Sequence, residues 1–185
     1  MNRADLLVVS ATASEAAHVP AGVETVICGI GKVDAAVAVA AAVLRHGGPR
    51  PPTVVNIGTA GALRPELTGL YVPSVVRNHD ISADVLRSLG YPVRDVLELP
   101  GGDGTALATG DHFVTDPAVR DALAEHSHLV DMEGFAIARA CAALGAVCLL
   151  VKHVSDDADA SAMEWPERVD HSARVLGGWL EEYLG

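Results

Sequence analysis

The chain has 185 residues, 13 of them basic and 24 acidic for a formal charge of −11, with 50% hydrophobic and 4% aromatic residues. That length can bury one real core, and so apolar a composition excludes a disordered chain. A negative balance of this size argues against a nucleic-acid or anionic-membrane binder, because phosphates would be repelled.

In chain order, the runs Leu6–Ser10, Thr25–Cys28, Thr53–Ile57, Leu70–Val76, Thr105–Thr109, Leu129–Asp131 and Val147–Val151 read as strands bounded by turn residues. Several are continuous rather than alternating, as strands covered on both faces are. Between them, Val33 to Arg45 reads as an Ala-rich helix stopped by Gly47-Gly48. Pro117 to His126 starts with Asp116 as N-cap and Pro117 at the first helical position. Met132 to Leu144 stops at Gly145, and Pro166 to Leu184 carries Val169, Ala173, Leu176, Leu180 and Leu184 at helical spacing. This alternation predicts a single α/β domain over residues 1–185, with a largely parallel or mixed central sheet flanked by helices. Ligands of such sheets bind at the carboxyl ends of the strands.

No apolar stretch reaches the roughly 20 residues of a membrane span; Lys32 to Leu44 comes closest and is bounded by charges. The N-terminus does not read as a signal peptide, with Asp5 in the flank and an apolar core of only Leu6 to Val9. Cys28, Cys141 and Cys148 form no C-x-x-C pair and are expected as buried thiols of a cytoplasmic protein.

Familiar motifs fail. Gly29-Ile30-Gly31-Lys32-Val33-Asp34 has Asp34 where a dinucleotide fingerprint needs its third glycine, and Val26 and Val33 break a Walker loop. The eight histidines lack metal-ligand spacing, and no G-x-S-x-G elbow exists. What remains is acidic. Glu15 lies five residues past the first strand, Asp131 and Glu133 bracket Met132, and Asp156 follows Val151-Lys152-His153-Val154-Ser155. If the strands are parallel, these carboxylates converge on one rim. Singly, each reads better as an ordinary helix-start or helix-cap acid; together they form a candidate acid/base site.

Five motifs then occur in order: Gly29 to Ala36, Asn56-Ile57-Gly58-Thr59-Ala60-Gly61, Thr109-Gly110-Asp111-His112-Phe113, Val130-Asp131-Met132-Glu133-Gly134 and Val154-Ser155-Asp156. In this the chain resembles the 5′-methylthioadenosine/S-adenosylhomocysteine nucleosidases of the nucleoside phosphorylase superfamily. The resemblance implies that Asp156, with Ser155 beside it, serves N7 of a purine. It implies that Glu133 grips the ribose hydroxyls and that Met132 packs on the sugar. Phe113 would stack on the base and the backbone of Val114 would read its edge. Thr59, Ala60 and Gly61 would line the other side of the sugar, and Glu15 would activate water. A homodimer is implied too, and no metal or organic cofactor.

The chemistry accords with those residue types. Cleaving an N-glycosidic bond passes through an oxocarbenium-like transition state. A carboxylic acid at N7 makes the purine a neutral leaving group, a carboxylate on the hydroxyls favours the developing cation, and a third deprotonates water. Residues Ser10 to His18 contain no Arg or Lys, which suits water rather than phosphate as nucleophile. Lys32 and Arg64 are expected as surface charges, His153 as a packed histidine, and Asp131 receives no role. Relative to the family, segments between Glu15 and Gly29 and between Asp80 and Thr105 are shortened, so the part of the pocket around the 5′ substituent is least defined. Three functions stay open: an adenine-nucleoside hydrolase; a purine nucleoside phosphorylase or futalosine-type hydrolase; and a non-catalytic nucleoside-binding protein.

Overall fold

The computed structural model describes residues 3–185. A nine-stranded mixed sheet carries five helices, in the order β1 (Leu6–Ser10), β2 (Glu24–Ile27), α1 (Lys32–Arg45), β3 (Thr53–Ala62), β4 (Leu70–Tyr71), β5 (Val75–Asn78), α2 (Ala83–Ser88), β6 (Val96–Glu98), β7 (Ala106–Thr109), α3 (Pro117–Ala124), β8 (Leu129–Asp131), α4 (Gly134–Leu144), β9 (Cys148–Asp156) and α5 (Trp165–Leu184).

The sheet is built on two halves, each a set of parallel strands, with β4 added antiparallel to β9 and β6 antiparallel to β5. In one, β1 runs parallel to β2 and β3, and β3 runs parallel to β9. In the other, β7 runs parallel to β5 and β8. The halves join antiparallel, through Gly61 opposite Val130 and Ala62 opposite Leu129. The strand ends therefore do not share one direction, as a wholly parallel sheet would require. They meet instead because the carboxyl ends of β8 and β9 approach the last residues of β3 from opposite sides.

Alternation along the strands sorts the core. Leu7, Val9, Val54 and Leu150 face α1 and α4, where Val39, Val43, Ile137 and Cys141 complete one cluster. Leu6, Val8, Val55, Ile57 and Val151 face α5 and bury Leu176, Leu180 and Leu184. This is the period of two in the strands meeting the period of 3.6 in the helices. All three cysteines are buried and free.

Several boundaries differ from the sequence reading. Strands β3 and β9 run on to Ala62 and Asp156, well past Ile57 and Val151; the apolar runs stop short because small residues (Gly58, Ala60, Gly61, Ala62) and buried polar ones (Lys152, His153, Ser155, Asp156) interrupt them there. The run Leu70–Val76 is two strands broken around Pro73, which has no amide hydrogen for a ladder. Helix α4 begins at Gly134, which leaves Asp131, Met132 and Glu133 on the strand end and turn before it, and it ends at Gly145 in the left-handed region (φ 71°). The short elements α2 and β6 carry no periodicity long enough to read. Asp116 caps α3 as expected, accepting from the Ala118 amide at 2.8 Å. No helix among the described residues is long and apolar enough to cross a membrane.

Candidate functional site

A cavity of about 330 Å³ opens where the two half-sheets meet. All ten residues singled out from the sequence line it: Glu15, Thr59, Ala60, Gly61, Phe113, Val114, Met132, Glu133, Ser155 and Asp156. Among the described residues, its wall contains no lysine or arginine, and Trp165 from the start of α5 joins it. Among the described residues, no group of three or more His, Cys, Asp or Glu is arranged to hold a metal ion.

Asp156 owes its position to an irregularity. The β3–β9 register slips between Ala60 and Gly61, with Ser155 as the extra residue of β9. Such a slip bends the strand and re-aims its side chains. Asp156 Oδ2 accepts from Ser155 Oγ at 2.7 Å and Oδ1 from the Ala158 amide at 3.0 Å. Ala158 adopts φ 48°, a conformation that costs a β-carbon-bearing residue energy. A β-carbon on Gly61 would lie 3.0 Å from Asp156 Oδ1, so only glycine leaves that carboxylate in place.

Glu133 stands just ahead of α4 and points across to α1, where Oε1 accepts from the Gly31 amide at 2.9 Å. Gly31 has φ 96°, open to glycine, and is the residue at the mouth of α1. Burial, then the charge of Asp131, pushes the Glu133 carboxyl up from 4.5 to about 7, against the pull of Lys152 and the Gly31 amide.

Glu15 is buried and held by donors from two sides. Its Oε1 accepts from Thr59 N and Oγ1, both at 2.8 Å. Oε2 accepts from the Thr12 amide at 3.2 Å and Thr12 Oγ1 at 3.1 Å, with Ser10 Oγ at 3.5 Å. Trp165 Nε1 in turn donates to Thr59 Oγ1 at 2.8 Å.

Below these carboxylates lies a residue the sequence reading passed over. Lys152 is 1% exposed, and its Nζ lies 2.8 Å from Asp131 Oδ2. Burial works against its charge, but Asp131, Glu133 and Glu15 together outweigh it and hold the ammonium above its ordinary value. Asp131, given no role from sequence, also accepts from Thr109 Oγ1 at 2.5 Å and the Gly134 amide at 2.9 Å. The signal was present: Lys152 shares the parity of Leu150 and Val154 inside a strand, where a lysine is an interior residue needing a partner.

Lys32 is likewise no free surface charge. Its ammonium contacts Asp80 and Asn78, and its amide donates to Asp111 Oδ1 at 2.8 Å. The Asp111 amide closes the ring on Asp80 at 2.8 Å, tying the loop that precedes Phe113 to the start of α1. Arg64 points away from the cavity wall, donating to Ala124 O at 3.1 Å. His153 faces α5, with Nδ1 2.9 Å from Ser172 Oγ, and is packed as expected.

The family model described as the Phosphorylase superfamily matches residues 19–96 and 104–185, a span that leaves Glu15 outside it. A 5′-methylthioadenosine/S-adenosylhomocysteine nucleosidase of Shewanella sediminis is 27% identical over 187 residues, covering 83% of this chain and 79% of that protein. The corresponding protein of Shewanella pealeana is 25% identical, covering 88% and 83%. Among solved structures, the Helicobacter pylori nucleosidase of the same name, complexed with a substituted pyrrolidin-3-ol, superimposes with a TM-score of 0.83 at 21% identity and 97% coverage of both chains. The native futalosine hydrolase of Helicobacter pylori gives 0.82 at 20% identity, covering 97% and 96%. These structural likenesses establish the fold. Since the family match spans most of the chain on both sides of the β6 hairpin, the protein belongs to the phosphorylase superfamily.

Proposed function

We propose that this protein hydrolyses the N-glycosidic bond of adenine nucleosides, of the 5′-methylthioadenosine and S-adenosylhomocysteine class, and releases free adenine. One observation carries the reading: three buried carboxylates from three separate segments, Glu15, Glu133 and Asp156, line a single cavity whose wall holds no cation. The names of the curated relatives accord with it.

In this mechanism Phe113 stacks on the purine and the backbone of Val114 reads its edge. Asp156, steadied by Ser155, delivers a proton to N7, so that the base departs neutral. Glu133 accepts from the ribose hydroxyls while Met132 packs on the sugar, and its charge favours the oxocarbenium-like transition state. Thr59, Ala60 and Gly61 line the opposite side of the sugar. Glu15 takes the proton of a water that attacks C1′, and that proton balances the one given to the purine. No cofactor enters this sequence of steps.

Water is favoured over phosphate on electrostatic grounds. A phosphorylase needs cationic donors at its nucleophile, whereas the buried Lys152 is committed to Asp131 and Arg64 to a main-chain carbonyl. We further propose one domain acting as a homodimer in the cytoplasm. Val33 and Val37 are 72% and 65% exposed on one stripe of α1, beside the cavity residue Ile30 at 57%. An apolar surface at the rim of a site is what a partner subunit covers.

The test is incubation with methylthioadenosine, adenosylhomocysteine, 5′-deoxyadenosine, adenosine, inosine and futalosine without phosphate, with chromatographic detection of free base. Release of adenine is expected. No release from any nucleoside across pH, or release only when phosphate is added, overturns the hydrolase reading.

A further inference from the structure

We infer that Trp165 is a positioning residue for Glu15, acting through the hydroxyl of Thr59; this rests on the role proposed for Glu15 above. An indole N–H donates and cannot accept. With Trp165 Nε1 2.8 Å from Thr59 Oγ1, that oxygen is the acceptor, and its single proton is directed to Glu15 Oε1, also at 2.8 Å. The Thr59 amide donates to the same carboxylate oxygen at 2.8 Å. Both in-plane lone pairs of Oε1 are thereby occupied. Oε2 is also contacted, by Thr12 and Ser10, but at 3.1 to 3.5 Å these bonds are longer, and the more weakly held oxygen is the one assigned to receive the proton of water.

Without the indole, the Thr59 hydroxyl loses one of the two contacts that fix its torsion, and its proton can then turn to the attacking water instead of to the base. The first residue of α5 thus reaches into the site from the face that helix covers, since Thr59 shares the parity of Val55 and Ile57 and lies opposite His153. A ring that filled this place without a donor would close the cavity equally well and leave the hydroxyl uncommitted, so the hydrogen bond is what distinguishes positioning from packing.

Trp165→Phe keeps the ring and removes the donor. We expect kcat to fall about tenfold, the scale of one lost neutral hydrogen bond, with KM within about twofold of wild type. Thr59→Val severs the relay already, so adding Trp165→Phe to it should change kcat by less than about twofold. Thr59→Ser, which retains the hydroxyl, should keep the full sensitivity to Trp165→Phe. A wild-type enzyme that releases base, paired with an unchanged kcat in Trp165→Phe, overturns the inference alone; so does a loss equally large in the Thr59→Val background. A readout independent of turnover is the indole N–H resonance of Trp165, identified by its loss in Trp165→Phe. Thr59→Val and Glu15→Gln should each move it further than the Trp179 resonance, and failure to do so overturns the relay even where no base is released.

Discussion

Lys152 and Asp131 form an ion pair at 2.8 Å with side chains only 2% and 1% exposed, directly beneath the cavity. Gly58 makes room for it: a β-carbon there would lie 3.4 Å from Lys152 Nζ and 3.3 Å from Glu15 Oε1. One ammonium therefore serves a floor that three carboxylates share. The pair is held by the fold rather than by the surface, since Lys152 projects from the middle of β9 and Asp131 ends β8.

Breaking that pair from one side should be costly. Lys152→Met leaves Asp131 charged and buried, with about 3–5 kcal/mol of stability lost. The double variant Lys152→Met/Asp131→Asn removes the orphaned charge and should recover much of it, because the amide oxygen can accept from the Gly134 amide while its NH2 donates to Thr109 Oγ1. Denaturant unfolding of the three proteins decides the matter. A single variant within about 1 kcal/mol of wild type would show that the cavity floor is wetter than the structure has it.

The pH dependence of Glu133 has a definite sign. Its folded-state carboxyl is raised to about 7 from 4.5 by burial and by Asp131. The folded protein therefore binds a proton that the unfolded chain releases, so this group lowers stability progressively as pH climbs between those two values. Glu133→Gln mimics the protonated side chain, and the stability of wild type relative to it should fall from pH 5 to pH 8. In the role proposed for Glu133, ionisation would let it accept from two ribose hydroxyls, so KM for methylthioadenosine should fall as pH rises through about 7. A pH-independent stability difference between the two proteins contradicts this assignment.

How much of this was legible in the sequence depends on what each position buries. Where strands bury Leu, Val or Ile, as in β1 and β8, their limits follow from the apolar run alone. Where β3 and β9 approach the cavity, they continue through Gly58, Thr59, Lys152 and Ser155, polar or small residues whose burial is made possible by partners elsewhere in the chain. Spacing cannot show those partners. The same limit concealed Lys152 and Lys32, whose acidic partners are distant in sequence. Eight of the ten cavity residues lie within five short motifs that occur in a fixed order, Val114 follows one of them and Glu15 follows the first strand, whereas Trp165 adjoins none of these and enters the site by the placement of α5. The antiparallel join of the half-sheets was also hidden, because both halves have the same strand–helix alternation.

Asp156→Asn isolates the proposed proton donor. The amide is the same size, and its oxygen can still accept from the Ala158 amide while its NH2 donates to Ser155 Oγ, so the fold should survive, with a melting temperature near that of wild type. Base release should fall by about 10²- to 10⁴-fold, the contribution typical of a general acid. A rate within tenfold of wild type would remove Asp156 from the chemistry. Arabinosyl or other sugar changes should not restore the variant, whereas a substrate whose base leaves without protonation should lose far less rate on it.

Gly61→Ala perturbs the same carboxylate by crowding it. The new methyl would meet Asp156 Oδ1 and Ala158 Cβ at 3.0 Å and Val130 Cγ1 at 3.2 Å. Two of those neighbours belong to the segment that holds Asp156 and the third to β8, so relief requires the join between the half-sheets to shift. Overpacking of this kind costs about 1–3 kcal/mol of stability. Displacing the proton donor should cost rate disproportionately: kcat is expected to fall at least tenfold while most of the protein remains folded at 25 °C. Gly178→Ala is the matching control, since a β-carbon there meets nothing within 4 Å. It lies inside α5, where alanine is the better helix former, so this variant should be at least as stable as wild type with kcat unchanged. If Gly61→Ala lost stability and activity only in proportion, the close approach of Gly61 to Asp156 would be a packing requirement with no bearing on proton delivery.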